Sequence, residues 1–211
     1  MNRLLQILRS FPRLMVGLVL CGIGVAFMLE SELGLPPWDV LHQGISLRTP
    51  LTIGQATIAV GLAVIVLWIP LRQVPGIGTI ANAIVIGSTV DVMGSIMPEV
   101  TGTGPRWALM LAGPVLMGLG SALYIGAGLG TGPRDGLMTG IAARGLSIRL
   151  TRTLIEGSAL LIGWLLGGRF GLGTVVFAVT VGPLVQFFIS VIPGVYLHRR
   201  PVETGTRVGV A

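Results

Sequence analysis

Asp39 and Asp135 lie 96 positions apart, and each follows a proline by two residues: Pro37-Trp38-Asp39 and Pro133-Arg134-Asp135. Proline suits the first position of a helix, where its missing N–H is not needed. A carboxylate in the first turn then meets the positive end of the helix dipole. Two readings of the aspartates follow. They cap free N–H groups and do nothing else, or two half-helix N-termini face each other near a membrane midplane and bind a solute. In the second reading the carboxylates bind a cation or relay a proton. Trp38 of the first motif becomes Arg134 in the second. A guanidinium at a helix N-terminus is a ready anion site, with Trp38 covering an apolar part of the same solute; the plainer reading of Arg134 is a topology signal or lipid anchor. Asp39 shares a helix face with Gln43, and Asp135 with Thr139. Asp91 aligns with Gln186 at an offset of 95, and the two are weighed between a solute pathway and an interhelical hydrogen bond. Glu156 lies four residues after Arg152, the spacing of a local ion pair.

The elements that must hold these residues are apolar. Hydrophobic residues are 52 % of the chain and charged residues 10 %, with mean hydropathy +0.88, against about 25 % charged in a soluble domain. Apolar runs near 12–29, 52–70, 76–97, 107–128, 153–168 and 173–195 approach the ~20 residues that cross a bilayer as helix. The chain also repeats itself. Leu33, Gly34, Pro37, Asp39 and Leu41 return as Leu129, Gly130, Pro133, Asp135 and Leu137; Gly17, Gly22 and Gly24 return as Gly113, Gly118 and Gly120. After one residue drops out, Gly76, Gly78 and Thr79 match Gly171, Gly173 and Thr174. Duplication of this kind marks transporters built around a central site. The paired glycines predict close approach of the first and fourth spans.

The expectation is an all-α membrane protein of six transmembrane helices, a 3+3 inverted repeat in which each half carries a short re-entrant or interfacial half-helix. The segments are an interfacial helix over 1–12, repeats over 13–100 and 106–196, and a disordered cytoplasmic tail over 198–211, all one membrane domain. With both termini inside, only Arg48, Arg106 and Arg169 of the 14 arginines lie outside, a strong positive-inside bias. Eight crossings, with 36–46 and 133–143 also spanning, give an equal bias and parallel repeats. Segments of about 11 residues are too short to span, which favours six. The first run lacks the small-residue cleavage site of a signal peptide. Trp68, Trp107, Trp164 and Tyr196 fit an interfacial belt.

Much is excluded. Cys21 is the sole cysteine and the histidines number two, so no disulfide, metal set or nucleophilic triad can be assembled, and no catalytic residue or cofactor is expected. The net charge of +6 sits on arginines at span ends, a lipid-headgroup and topology signal rather than a nucleic-acid one.

The hairpin Leu33-Gly-Leu-Pro-Pro-Trp-Asp-Val-Leu-His-Gln-Gly44, followed by Thr52-Ile-Gly-Gln55, resembles the bacterial YczE/YyaS/YitT family of small integral membrane proteins over about 10–197. The resemblance implies a bacterial plasma-membrane protein without a settled biochemical activity, of a group described as candidate transporters or as regulators of secondary metabolism. It carries no catalytic residues over. The function expected is a small-solute permease whose central site is formed by Asp39, Asp135, Arg134, Asp91, Gln186, Trp38 and Gln43, with a small solute, anionic in the sharper reading, as partner besides the bilayer. A non-transporting scaffold or regulator and the membrane subunit of an ATP-driven importer are the alternatives. Association into a homo-oligomer stays open.

Overall fold

A computed structural model describes residues 3–192, with side chains described from residue 7. The described residues are helical, with no strand among them. In order they form α1 (Arg3–Ser31), α2 (Pro37–Ser46), α3 (Ile53–Val66), α4 (Trp68–Leu71), α5 (Ile77–Ile96), α6 (Thr103–Ala127), α7 (Pro133–Ala142), α8 (Ile148–Leu165) and α9 (Leu172–Val191). Five helices are long and apolar enough to cross a membrane: α1 from Ile7, α3 with α4, α5, α6 and α9. This is a membrane protein by composition and helix length alike, because only internally bonded backbone is stable in hydrocarbon. α8 has 18 residues but carries Arg149, Arg152 and Glu156. The expected boundary at residue 12 is absent: α1 runs through Pro12 as one helix. The tail over 198–211 and Tyr196 lie outside the described residues.

The repeat survives as helices. α2 and α7 recur at the 96-residue offset with 10 residues each, and α5 and α9 recur at 95 with 20 residues each. α1 and α6 form the most extensively packed pair. They run antiparallel, because Gly17 meets Gly120 while Gly24 meets Gly113. At each of the four glycines a Cβ would come within 3 Å of facing backbone, so the small residues let the helix axes close together. The sequence expectation holds for these four. Gly22 instead packs on Thr89 of α5, and its counterpart Gly118 packs on Leu184 of α9. The exchange of partners follows the repeat.

Each half-helix docks on the opposite half. The extended leg before α2 lies against the start of α9, where Gly173 N–H donates to Leu33 O at 2.8 Å. The leg before α7 lies against the start of α5, where Gly78 N–H donates to Leu129 O at 2.9 Å. Gly34 and Gly130 take φ of +126° and +139°, a region open to glycine and strained for other residues. α2 then packs along α8 through Gly44 and Gly163. α7 is held by Trp68, whose Nε1–H donates to Pro133 O at 3.0 Å and whose ring fills the space beside Gly136. Trp68 is therefore a core residue rather than part of an interfacial belt, whereas Trp107 and Trp164 are exposed.

The α1–α6 contact gives a direct test. Gly120→Ala places a methyl 2.5 Å from Gly17 O and should destabilise the protein in detergent by about 1–3 kcal/mol, the usual cost of overpacking. Gly94→Ala, with nothing within 4 Å of the added atom, should be neutral or gain up to about 1 kcal/mol from helix propensity. Thermal melting of both variants checks the pair; equal melting points would contradict the packing.

Candidate functional site

The two half-helix N-termini meet. Arg134 of α7 extends over the Trp38 ring of α2, 5.0 Å from its centroid, and its Nη2 lies 3.8 Å from Asp39 Oδ1. Around this junction is a cavity of about 390 Å³, within the size range of small-molecule sites. Of the residues singled out in the sequence, Trp38, Asp39, Arg134, Asp135 and Gln186 line it.

Neither aspartate caps its own helix by a side-chain bond; α2 and α7 both lack one. Asp39 is 1 % exposed, and its Oδ1 takes His42 Nδ1 at 3.1 Å. Its Oδ2 has no partner, nor has the buried Nε1–H of Trp38. Two residues that line this cavity thus each keep a buried polar atom without a partner, an unusual state for buried polar groups. Asp135 Oδ2 accepts from the Tyr124 hydroxyl of α6 at 2.9 Å. Arg134 makes no hydrogen bond among the described residues. Its fork of donors is held in place by a ring face and a carboxylate just beyond bonding distance.

Asp91 and Gln43 lie elsewhere. Asp91 accepts from Gly54 N–H at 2.8 Å and from the Thr52 hydroxyl at 2.6 Å. It anchors the start of α3 to α5, a structural bond between helices. Gln43 Oε1 accepts from Arg169 N–H and lines a separate polar recess with Glu30, Glu32, Glu99, Arg106 and Arg169. The i,i+4 face shared by Asp39 and Gln43 therefore does not form one site. The side chain that joins Asp39 is His42, at i+3. His42 is 1 % exposed, and its Nδ1 also lies 3.0 Å from Thr57 Oγ1 of α3. The i,i+3 spacing of Asp39 and His42 on α2 is the signal in the sequence that marks this pair. Tyr124 gave no such signal, because only folding brings α6 against α7. Arg152 and Glu156 form the expected pair at 2.9 Å and line the cavity.

Ion pairs cross the second recess. Glu32, just past α1, bridges Arg106 of α6 at 2.8 Å and Arg169 before α9 at 2.7 Å. The hydrogen bond and charge of Arg169, then the charge of Arg106, hold its carboxyl below the ordinary glutamate range.

A family model described as "Family of unknown function (DUF6198)" matches residues 8–190. The chain belongs to that family. Among DUF6198 relatives, an uncharacterised protein of Haemophilus influenzae is 43 % identical over 185 residues, 87 % of this chain and 85 % of that one. The uncharacterised membrane protein YczE of Bacillus subtilis is 35 % identical over 175 residues, 81 % of each chain. YyaS of the same organism, also uncharacterised, is 24 % identical over 191 residues, 87 % of this chain and 94 % of that one. The resemblance drawn from the Pro-Trp-Asp hairpin is thereby borne out. No solved structure matches.

The Glu32 bridge sets a pH dependence. A carboxyl whose folded value is depressed contributes stability above its unfolded value, and that contribution is lost as pH falls through the folded one. The wild type should therefore lose melting temperature below the ordinary glutamate range more steeply than Glu32→Gln, and the two curves should converge at low pH. Parallel curves would show that the bridge contributes nothing.

Proposed function

We propose that this DUF6198 protein is a small-solute permease that works by alternating access, with its binding site where α2 and α7 meet. One observation carries the reading: the two halves are built alike but stand in different conformations around one cavity. In the first half α3 packs along α5, with Gly61 on Ala83 and Gly87 on Gly54 and Ile58. In the second half α8 and α9 do not pack along each other, and Gly157 and Gly182, the counterparts of Gly61 and Gly87, have nothing within 4 Å. The cavity reaches into this gap, past Arg152, Glu156, Phe177, Val181 and Gln186. Exchange of the two conformations between the halves would close α8 on α9, part α3 from α5, and open the same site at the opposite end.

For that exchange to move a solute across the membrane the repeats must be inverted, with six crossings. Two features support this. α2 and α7 have 10 residues each, about 15 Å of helix, half the ~30 Å of hydrocarbon. And Glu32 after α1 is bonded to Arg106 at the start of α6 and to Arg169 before α9. The three points lie at one membrane face with six crossings; with eight, α1 would end opposite to where α6 begins. α8, about 27 Å long at 1.5 Å per residue, is then the sixth span, and its Arg152 and Glu156 face the cavity rather than lipid, as charged groups in spans do. The loop at Arg72 and both termini then lie on the cytoplasmic side of a bacterial plasma membrane.

Two measurements test the reading. In a Cys21→Ala background, an impermeant thiol reagent on intact cells should label Thr103→Cys and spare Gln73→Cys; the reverse pattern would end the inverted arrangement. In the same background, Gly157→Cys with Ala178→Cys should form a disulfide in native membranes, because this pair corresponds to the touching Gly61 and Ala83. If oxidant links Gly61→Cys with Ala83→Cys but never the second pair, the gap is a fixed shape and alternating access fails.

A further inference from the structure

Asp39 Oδ1 stands between two nitrogen donors. His42 Nδ1 is 3.1 Å away on α2, and Arg134 Nη2 is 3.8 Å away on α7. The hydrogen-bond pattern fixes the histidine's tautomer. Thr57 Oγ1–H donates to Ile53 O at 2.9 Å, so toward His42 the threonine oxygen can only accept. Asp39 is an acceptor as well. Nδ1 therefore carries the proton, and Nε2 is the atom at which the ring gains or loses one.

Arg134 completes the arrangement. It has a full set of donors, no hydrogen bond among the described residues, and a position at the N-terminus of α7 facing that of α2. Planar donors unused in a two-thirds-buried wall match a carboxylate or another oxyanion. The unpartnered Trp38 Nε1–H and Asp39 Oδ2 are buried beside it.

We infer that Asp39 and His42 are a proton-carrying pair and that Arg134 couples it to an anionic solute, so that the permease moves one anion together with one proton. The inference rests on the reading of this cavity as a transport site. An anion at Arg134 draws the guanidinium off Asp39 Oδ1. Asp39 is left as an uncompensated charge in a low-dielectric wall, next to a second negative group. A proton from the open side of the cavity then adds to His42 Nε2, and the His42 cation replaces Arg134 as partner of Asp39. A monovalent anion and its proton add no net charge, so the loaded cavity carries the same charge as the empty one when it turns. Release reverses each step.

The other charged groups near the pair are already engaged. Asp135 of α7 is held by Tyr124, Arg152 and Glu156 of α8 hold each other, and α3 presents the neutral Thr57. The Cys21 thiol of α1 lies against Met117 O and Ser121 of α6. Arg134 and Asp39 are left to govern His42.

The test reads His42 directly. The chain has two histidines, so full-length protein with His198→Gln and ¹⁵N-labelled histidine in nanodiscs reports a single ring. Nε2 should titrate within the pH range over which the protein stays folded. Arg134→Gln should raise its proton affinity about tenfold by leaving Asp39 to His42 alone, and Asp39→Asn should lower it by at least as much. Acetate and sulfate serve as probe anions. At saturating concentration at least one should raise the midpoint in the parent protein and neither should move it in Arg134→Gln. A ring that does not titrate in this range, a midpoint indifferent to Arg134→Gln, or one that neither anion moves would overturn the coupling. None of these readouts requires turnover, so they stand or fall apart from the Gly157–Ala178 cross-link that tests alternating access.

Discussion

An extended backbone inside a bilayer must find partners for its N–H and C=O groups, and in the six-crossing arrangement proposed above two such legs lie there. Each unsatisfied group in hydrocarbon would cost several kcal/mol. The legs solve the problem by crossing to the other half: Leu33 O takes Gly173 N–H of α9, and Leu129 O takes Gly78 N–H of α5. The glycines of those helix starts follow from the same need, because a Cβ at Gly76 or Gly171 would collide with the leg it receives. Once the legs are anchored, α2 and α7 are each set down against the opposite half. Their N-termini, with Trp38, Asp39, Arg134 and Asp135, are left pointing at one another.

The exchange also explains how the halves can differ in shape while the centre stays put. α1 and α6 are locked by Gly17, Gly24, Gly113 and Gly120, whose close contacts leave no slack. The half-helices are tied down by Trp68 to Pro133 on one side and by Gly44 to Gly163 on the other. α9 is held least: in its span 11 % of residues are buried, against 56 % in α1. An element that makes few buried contacts can move at low cost. The free edge of the molecule is thus the gap where Gly157 and Gly182 have lost their counterparts' contacts.

Much of this architecture was legible in the sequence. The repeat, the half-helices, the glycine contacts between α1 and α6 and the Arg152–Glu156 pair all follow from spacing along one helix or from a fixed offset, which folding preserves. Properties that depend on which helix lies opposite were not legible. Asp91 aligns with Gln186, yet it bonds to the start of α3 while Gln186 lines the cavity, because α3 is packed on α5 and α8 is not packed on α9. Trp68 and Trp164 correspond in sequence, but one is 2 % exposed and the other 58 %; α7 has Gly136 to receive an indole, and α2 has Val40 at that position. Asp39 was paired with Gln43 on helix spacing alone. The i+3 partner won because Thr57 of α3 holds the His42 ring beside the carboxylate, and Arg169 N–H draws Gln43 away.

The departures from symmetry at the centre are chemically specific. Had the second hairpin kept tryptophan, the buried Asp39 would have no guanidinium beside it. Arginine at position 134 supplies one, while His42 holds the same carboxylate oxygen from the other side. Arg134 and Trp38 both keep unspent donors here, while Asp135 accepts from Tyr124 through one of its oxygens. The duplicated frame therefore does not produce two equivalent sites. It produces one junction, with a guanidinium from α7 and an Asp–His pair from α2 joined at a single carboxylate oxygen.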